Sequence, residues 1–188
     1  MVGTPKVGVL ALQGDFEAHA KALERAGAKA VEVRTAAELA PLDALIIPGG
    51  ESTTMLKLID IEGLFQPLAD FGAHKPIFGT CAGAILLAKA VLNPAQASLG
   101  LLDITVERNG YGRQIDSRIA QINVAGRPEE AVFIRAPIIR HVGEHVTVLA
   151  DYQGTPVLAE QGKHMVATFH PELSGNSTIH RRFIEKII

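Results

Sequence analysis

The first half of the chain alternates short apolar runs rich in Val and Ile with longer stretches whose apolar residues recur at helical spacing. That alternation restricts the fold more than any other feature. "KVGVLAL" (6 to 12) has the length of a buried strand, and "DFEAHAKALERAG" (15 to 27) has the period of a helix, with Asp15 near its start and Gly27 as its stop. The unit recurs: "AVEV" (30 to 33), then "ALIIPGG" (44 to 50) followed by a helix from about Thr53, then "PIFG" (76 to 79) followed by a helix through "AILLAKAV" (84 to 91). Strands apolar on both faces and separated by helices predict a parallel sheet covered on each side. After about Leu101 the texture changes. "LDITVER", "SRIAQINV", "AVFIRAP", "VTVLADY", "TPVLAEQ" and "HMVATFH" read as strands joined by short turns, and a helix near 176 to 187 closes the chain. With 47% hydrophobic residues the chain can bury one core, and it has no low-complexity stretch, linker or fixed repeat. The expectation is an α/β protein, residues 1–188 as a single domain, with a mostly parallel central sheet, flanking helices and additional β-structure in the second half.

Charge narrows the partners. A net charge of -2 leaves no basic footprint for nucleic acid and no polybasic patch for an anionic membrane. Small molecules or proteins remain. The one cysteine forms no internal disulfide, and the apolar segment in "MVGTPKVGVLALQGD" is too short for a signal peptide or a membrane span. A soluble, cytoplasmic protein is expected.

That cysteine, Cys81, stands in "PIFGTCAGAILLA" (76 to 88), between Gly79 and Gly83. If "PIF" is a strand and "AILLAKA" a helix, "GTCAG" is a strand-turn-helix corner of the G-x-nucleophile-x-G kind. The glycines remove side chains where strand and helix meet and allow costly backbone angles, so the thiol is expected exposed at the tip. A helix N-terminus favours the thiolate, and the Ala82 N–H is aimed where an oxyanion develops. The competing reading is a small buried hydrophobe, as most free cysteines are. A base is available in "ATFHPEL": His170 ends an apolar strand, Pro171 biases it toward extended geometry, and Glu172 is placed to fix its tautomer. The alternative for His170 is an ordinary loop histidine. His19, His74, His141, His145, His164 and His180 lack such a setting. A further glycine-rich corner, "IIPGGESTTM" (46 to 55), is no Walker loop; its backbone N–H groups suit a carboxylate or an oxyanion hole. In a parallel sheet these corners share the carboxyl edge, where ligands bind.

"LALQGDF", "PGGESTTM", "FGTCAG", "ERNGYGRQ", "FIRAP" and "FHPEL" span positions 10 to 173. In this order the chain resembles the glutaminase subunits of pyridoxal 5'-phosphate synthases, which are class I (triad) glutamine amidotransferases. The resemblance implies the class I glutamine amidotransferase fold, hydrolysis of L-glutamine to glutamate and ammonia, and no cofactor or metal. It implies Cys81 as nucleophile, His170 as general base and Glu172 as orienting acid. Gly50, Glu51, Ser52, Arg108, Ile134 and Arg135 are then the glutamine contacts, and the Gly50 and Ala82 amides the oxyanion hole. The physical reading agrees, because glutamine's carboxylate, ammonium and amide call for an Arg, backbone donors and a thiolate. Ammonia escapes to water unless an acceptor enzyme is adjacent; with one domain in cis, the acceptor is expected to be another polypeptide. The resemblance makes it a (β/α)8-barrel synthase, joined in a hetero-oligomer. "QGDFEAH" is the candidate docking surface, against the plainer reading of an acidic helix start, and Gln13 is the candidate relay. The family pattern has an aromatic and an acid after "GRQxxS"; here Arg118 and Ile119 follow Ser117. Two alternatives stand beside this reading: the glutaminase of another synthase, and a non-catalytic relative whose cysteine senses oxidants.

Overall fold

The fold is that of a computed structural model, which describes residues 3–109 and 118–187. Its centre is a seven-stranded sheet. The first strand β1 (Lys6–Leu10) pairs in parallel with β2 (Lys29–Val33) on one side and β3 (Ala44–Ile47) on the other, and β3 pairs in parallel with β4 (Ile77–Thr80). The edge beyond β4 comes from the end of the chain: β12 (His164–Ala167) runs parallel to β4, followed by the antiparallel strands β11 (Thr155–Gln161) and β10 (Thr147–Tyr152). The second half therefore extends the same sheet.

Helices cover both faces because the central strands are apolar on both. Val7, Val9, Ala44, Ile46 and Phe78 point to one face, where they meet Leu23 of α1 (Phe16–Arg25) and Phe183 of α5 (Thr178–Ile184). A hairpin of β7 (Arg118–Val124) and β8 (Arg127–Phe133) adds Ile122 and Phe133 there. Leu45, Ile47 and Ile77 point to the other face. They meet Met55 and Ile59 of α2 (Ser52–Ile61), Leu68 of α3 (Phe65–His74) and Leu86 of α4 (Ala82–Leu87). Each such side chain, fully buried, contributes about 1.5–3 kcal/mol. The helix starts are capped as their residues dictate: Asp15 accepts from the Ala18 N–H at 3.2 Å, and Glu51 accepts from the Thr53 and Thr54 N–H groups at 3.0 and 2.7 Å.

Three elements depart from the sequence expectation. The helix expected through 84–91 ends at Leu87; Ala88–Leu92 is instead a strand, β5, paired in parallel with β6 (Leu102–Glu107). Ala and Lys favour helix by only tenths of a kcal/mol, less than the ladder and the burial of Val91 supply. The region after Thr53 holds two helices, α2 and α3, separated where Gly63 turns with φ 63°. "IIRHV" forms β9 (Ile138–Val142), which pairs with β6 in a separate three-stranded sheet. Among the described residues no helix is long and apolar enough to cross a membrane.

His164 opens β12 with its ring buried, and its Nδ1 accepts the Ile77 N–H at 3.2 Å, a bond that requires a neutral ring. Burial, and then the Lys163 charge, lower its pKa to about 4. Its folded pKa lies below the unfolded value of about 6.5, so the unfolded chain binds the proton first and stability falls as pH drops from about 6.5 to about 4. His164→Asn keeps an acceptor at the Nδ1 position without titrating there. Its urea-unfolding free energy is expected to decline less steeply than wild type over that window, and identical slopes would remove His164 from the acid response.

Candidate active site

Four of the parallel strands end along one edge, and each delivers part of a single site. After β4 the chain turns at Cys81 into α4. The corner forms because strand and helix pass without side chains between them: a Cβ on Gly83 would collide with the Ile47 carbonyl, and one on Gly79 with the Gly83 carbonyl. The strained angles fall on the nucleophile itself, since Cys81 has φ 51° and ψ -105°. For a residue with a Cβ that region costs about 1–3 kcal/mol and persists only where packing enforces it. Contrary to the expectation of an exposed tip, Cys81 is only 6% accessible. Gly49 lies over it, so close that a Cβ there would stand 2.5 Å from His170 Cε1 and 3.3 Å from Cys81 Cβ. The Cys81 Sγ lies 3.9 Å from the Ile134 carbonyl on the other side.

His170 follows β12 and is anchored by its N–H to the Val132 carbonyl at 2.8 Å. Pro171 starts a short 3-10 turn, Pro171–Leu173, that brings Glu172 back onto the ring. The His170 Nδ1 lies 2.7 Å from Glu172 Oε1, and that carboxylate is almost fully buried. Burial alone would lower the His170 pKa. Hydrogen bonds and charge from Cys81 and Glu172 override it and raise the ring to about 10. The ring between the Cys81 sulfur and the Glu172 carboxyl group therefore favours its protonated form.

After β3 the "PGGES" corner forms the opposite wall. Gly50 has φ 143°, which a side chain would not tolerate. The Gln13 Oε1 accepts the Glu51 N–H at 3.0 Å, so the end of the first strand is clipped to this corner. The Glu51 carboxylate is held anionic: the Thr53 and Thr54 bonds outweigh desolvation and lower its pKa to about 2. Arg108, just past β6, donates from Nη2 to Thr53 Oγ1 at 2.6 Å and to Glu51 Oε1 at 3.3 Å. The Ser52 hydroxyl donates to Gln96 Oε1 at 3.3 Å.

Gly50, Glu51, Ser52, Cys81, Ala82, Arg108, Ile134, Arg135 and His170 all line one cavity of about 230 Å³, with Glu172 immediately behind His170. That volume suits a small metabolite. Neither the Gly50 nor the Ala82 amide is taken up by a carbonyl in a turn or loop among the described residues. Gln13 touches the site from outside, through the Glu51 amide. Ile85 and Asn109 also line the cavity. Ile85 had a signal in its spacing one turn into α4, and Asn109 in standing beside Arg108. The "GYGRQ" part of "ERNGYGRQ" and Ser117 lie outside the described residues; Arg118 stacks 6.0 Å over the Tyr152 ring and Ile119 is 68% exposed, both away from the cavity lining.

A sequence model of the SNO glutamine amidotransferase family matches residues 9–188. The chain belongs to that family. Its relatives include the pyridoxal 5'-phosphate synthase subunit PdxT of Solibacter usitatus, 60% identical over 97% of this chain and 99% of the relative. The subunit of the same name from Koribacter versatilis is 54% identical over 97% of this chain and 95% of the relative. A crystal structure of a glutamine amidotransferase superposes with a TM-score of 0.91 at 48% identity, covering 96% of this chain and 98% of that one.

Arg108 has Nη2 committed to Glu51 and Thr53, which leaves the rest of its guanidinium to face the cavity. Arg108→Ala is expected to raise KM for glutamine by about ten- to hundredfold, the equivalent of roughly 1.5–3 kcal/mol of charge-assisted hydrogen bonding, with a smaller effect on kcat. Steady-state kinetics check this, and an unchanged KM assigns Arg108 to the support of Glu51 alone.

Proposed function

We propose that residues 1–188 form one glutaminase domain that hydrolyses L-glutamine for a pyridoxal 5'-phosphate synthase. The observation that carries the reading is that Cys81 and His170, with Glu172 behind the imidazole, form one wall of a metabolite-sized cavity whose other wall is the Gly50 corner. The Cys81 thiolate attacks the side-chain amide carbon of glutamine, and the developing oxyanion takes hydrogen bonds from the Gly50 and Ala82 amides. Protonated His170 gives its proton to the amide nitrogen, the C–N bond breaks, and ammonia leaves a thioester on Cys81. Water, deprotonated by His170, then attacks the thioester, the C–S bond breaks, and glutamate leaves with the Cys81 thiolate and protonated His170 restored. Arg108, Arg135, Ile134, Ser52 and Glu51 surround the amino-acid end of the substrate. The high pKa of His170 supports its role as the acid of the first step.

Relatives named as synthase subunits support an acceptor on a separate polypeptide, a (β/α)8-barrel synthase docked near Gln13 and α1. A nucleophilic thiol that must stay reduced supports a cytoplasmic setting. The clip from Gln13 to the Glu51 amide supports a gate: docking shifts the Gly49–Gly50 backbone, which carries an oxyanion donor worth about 10²- to 10³-fold in rate.

Glutamate release at saturating glutamine tests this, measured across a titration of the synthase. Cys81→Ala is expected to abolish turnover while the fold survives, and Glu172→Gln to lose less than His170→Asn. Turnover by Cys81→Ala refutes the mechanism. The synthase is expected to raise kcat, and Gln13→Ala to blunt that rise; a maximal rate without partner refutes the gate.

A further inference from the structure

Behind the triad, away from the cavity, lie two histidines that this reaction does not use. His19 projects from α1 and His180 from α5, and both are completely buried. The His19 Nδ1 and His180 Nε2 are 2.9 Å apart. The other His19 nitrogen, Nε2, lies 3.1 Å from Thr80 Oγ1 and 3.3 Å from Glu172 Oε2. That second carboxylate oxygen is buried without a well-aligned hydrogen bond among the described residues, while Oε1 is engaged by His170. Of the basic side chains described, only His170 and His19 come within ion-pair distance of Glu172.

What each nitrogen faces assigns the protons. The His180 Nδ1 is buried with no partner among the described residues, and a bare lone pair there costs less than a stranded N–H. The His180 proton is then on Nε2 and is donated to His19 Nδ1. This leaves the His19 proton on Nε2, directed to Thr80 Oγ1, with Glu172 Oε2 3.3 Å from the same nitrogen. The opposite tautomer would set a lone pair of His19 against the carboxylate. Both rings are neutral: burial, then the proximity of the His180 and His170 rings, with which a second positive charge would compete, hold His19 well below its ordinary value, and burial, then Arg25, hold His180 at about 4. Glu172 thus has a neutral donor on one side and the cationic His170 on the other. The turn that carries Glu172 packs against α1 and β8: α1 brings His19 and Arg25, with His180 of α5 behind His19, β8 holds the buried Glu129, and β4 brings Thr80 and, at its end, Cys81.

We propose that His19, held in one tautomer by His180, is a positioning residue of the triad that fixes the Glu172 carboxylate in the orientation His170 requires. The proposal rests on the reading of Cys81, His170 and Glu172 as the reacting line, and it adds a helix, α1, to the support of that line. Without the His19 N–H, the buried carboxylate has a poorly held second oxygen and rotates away from its alignment with the imidazole. The same N–H explains why a histidine, and no apolar residue, occupies the buried face of α1 beside Ala22 and Leu23.

Two amides at position 19 separate holding from packing. His19→Gln places an N–H near the Nε2 position and reaches Glu172; His19→Asn places its amide near Nδ1 and does not. The first readout is the pKa of His170 in the free chain, followed by NMR of ring resonances identified by their loss in His170→Asn; it requires no turnover. In His19→Asn this pKa is expected to fall by about one unit or more, the scale of a weakened carboxylate partner, and in His19→Gln to recover most of that shift. The second readout is kcat with the synthase present, expected to drop about tenfold or more in His19→Asn with KM changed by less than about threefold, and to recover in His19→Gln. His180→Phe, which keeps an aromatic ring against Phe78 and frees the His19 tautomer, is expected to shift both readouts the same way by less, and it decides the matter if His19→Asn does not fold. Wild-type values in His19→Asn and His180→Phe overturn the proposal, as do equal losses in His19→Asn and His19→Gln. A chain without glutaminase activity whose His170 pKa still responds to His19 would refute the proposed function and leave the positioning intact.

Discussion

Gly83 lies against the Ile47 carbonyl, and Gly79 against Gly83, with no side chain between strand and helix. On this contact the site depends. It brings α4 down onto β3 and β4 tightly enough that Cys81 is forced into a positive φ, and it is repaid by Ile85, Leu86 and Leu87, which bury their side chains from the first turns of the helix. Strain of this kind survives only when the surroundings over-determine it. Here they do: Ala84 and Ile85 both donate to the Cys81 carbonyl, at 3.1 and 3.3 Å, and the Cys81 N–H is bound to Ala167 of β12 at 2.8 Å. That last bond ties the nucleophile to the strand that carries the base.

Electrostatics follows from the same arrangement. A charge in this interior is tolerated only with partners: Glu172 sits against His170, which lies beside Cys81 in the cavity lining, and Glu51 pairs with Arg108. The histidines farther back, His19 and His180, stay neutral because burial disfavours their charged forms and nearby cations add to the penalty. One imidazole is thereby kept protonated while two others a few ångströms away are kept neutral. The difference lies in which of them touches both a thiol and a carboxylate.

The departures from the sequence reading have a common cause. Local pattern placed β1, α1, β2, β3 and β4 within a few residues of where they lie, because strands buried on two faces and helices with caps carry their signals within a dozen residues. It failed at Ala88–Leu92, where a strand is made by a partner, β6, a turn away in sequence and by a buried valine. It also failed for the exposure of Cys81, since the residue that covers the thiol, Gly49, comes from another strand. In the sequence His19 is only the end of the candidate docking segment "QGDFEAH", yet its ring is completely buried. On a helix it reads as one polar residue among alanines, and its carboxylate partner stands more than a hundred residues away.

What the sequence determined by itself was the α/β class, the corner that holds Cys81, the His170–Glu172 pair two residues apart and the glycine corner at residues 49 and 50, because each is a local demand of backbone or chemistry on particular residue types. Only the tertiary structure decided that these corners share one cavity, that Arg108 is braced on Glu51 and Thr53, and that the strain falls on Cys81 rather than on its glycines. It alone joined α1 and α5 to the back of the triad through His19 and His180. The physical reason is range: dihedral preference and capping act over a few residues, whereas a buried hydrogen bond is between whatever groups the packed sheet brings within about 3 Å, however far apart the chain has carried them.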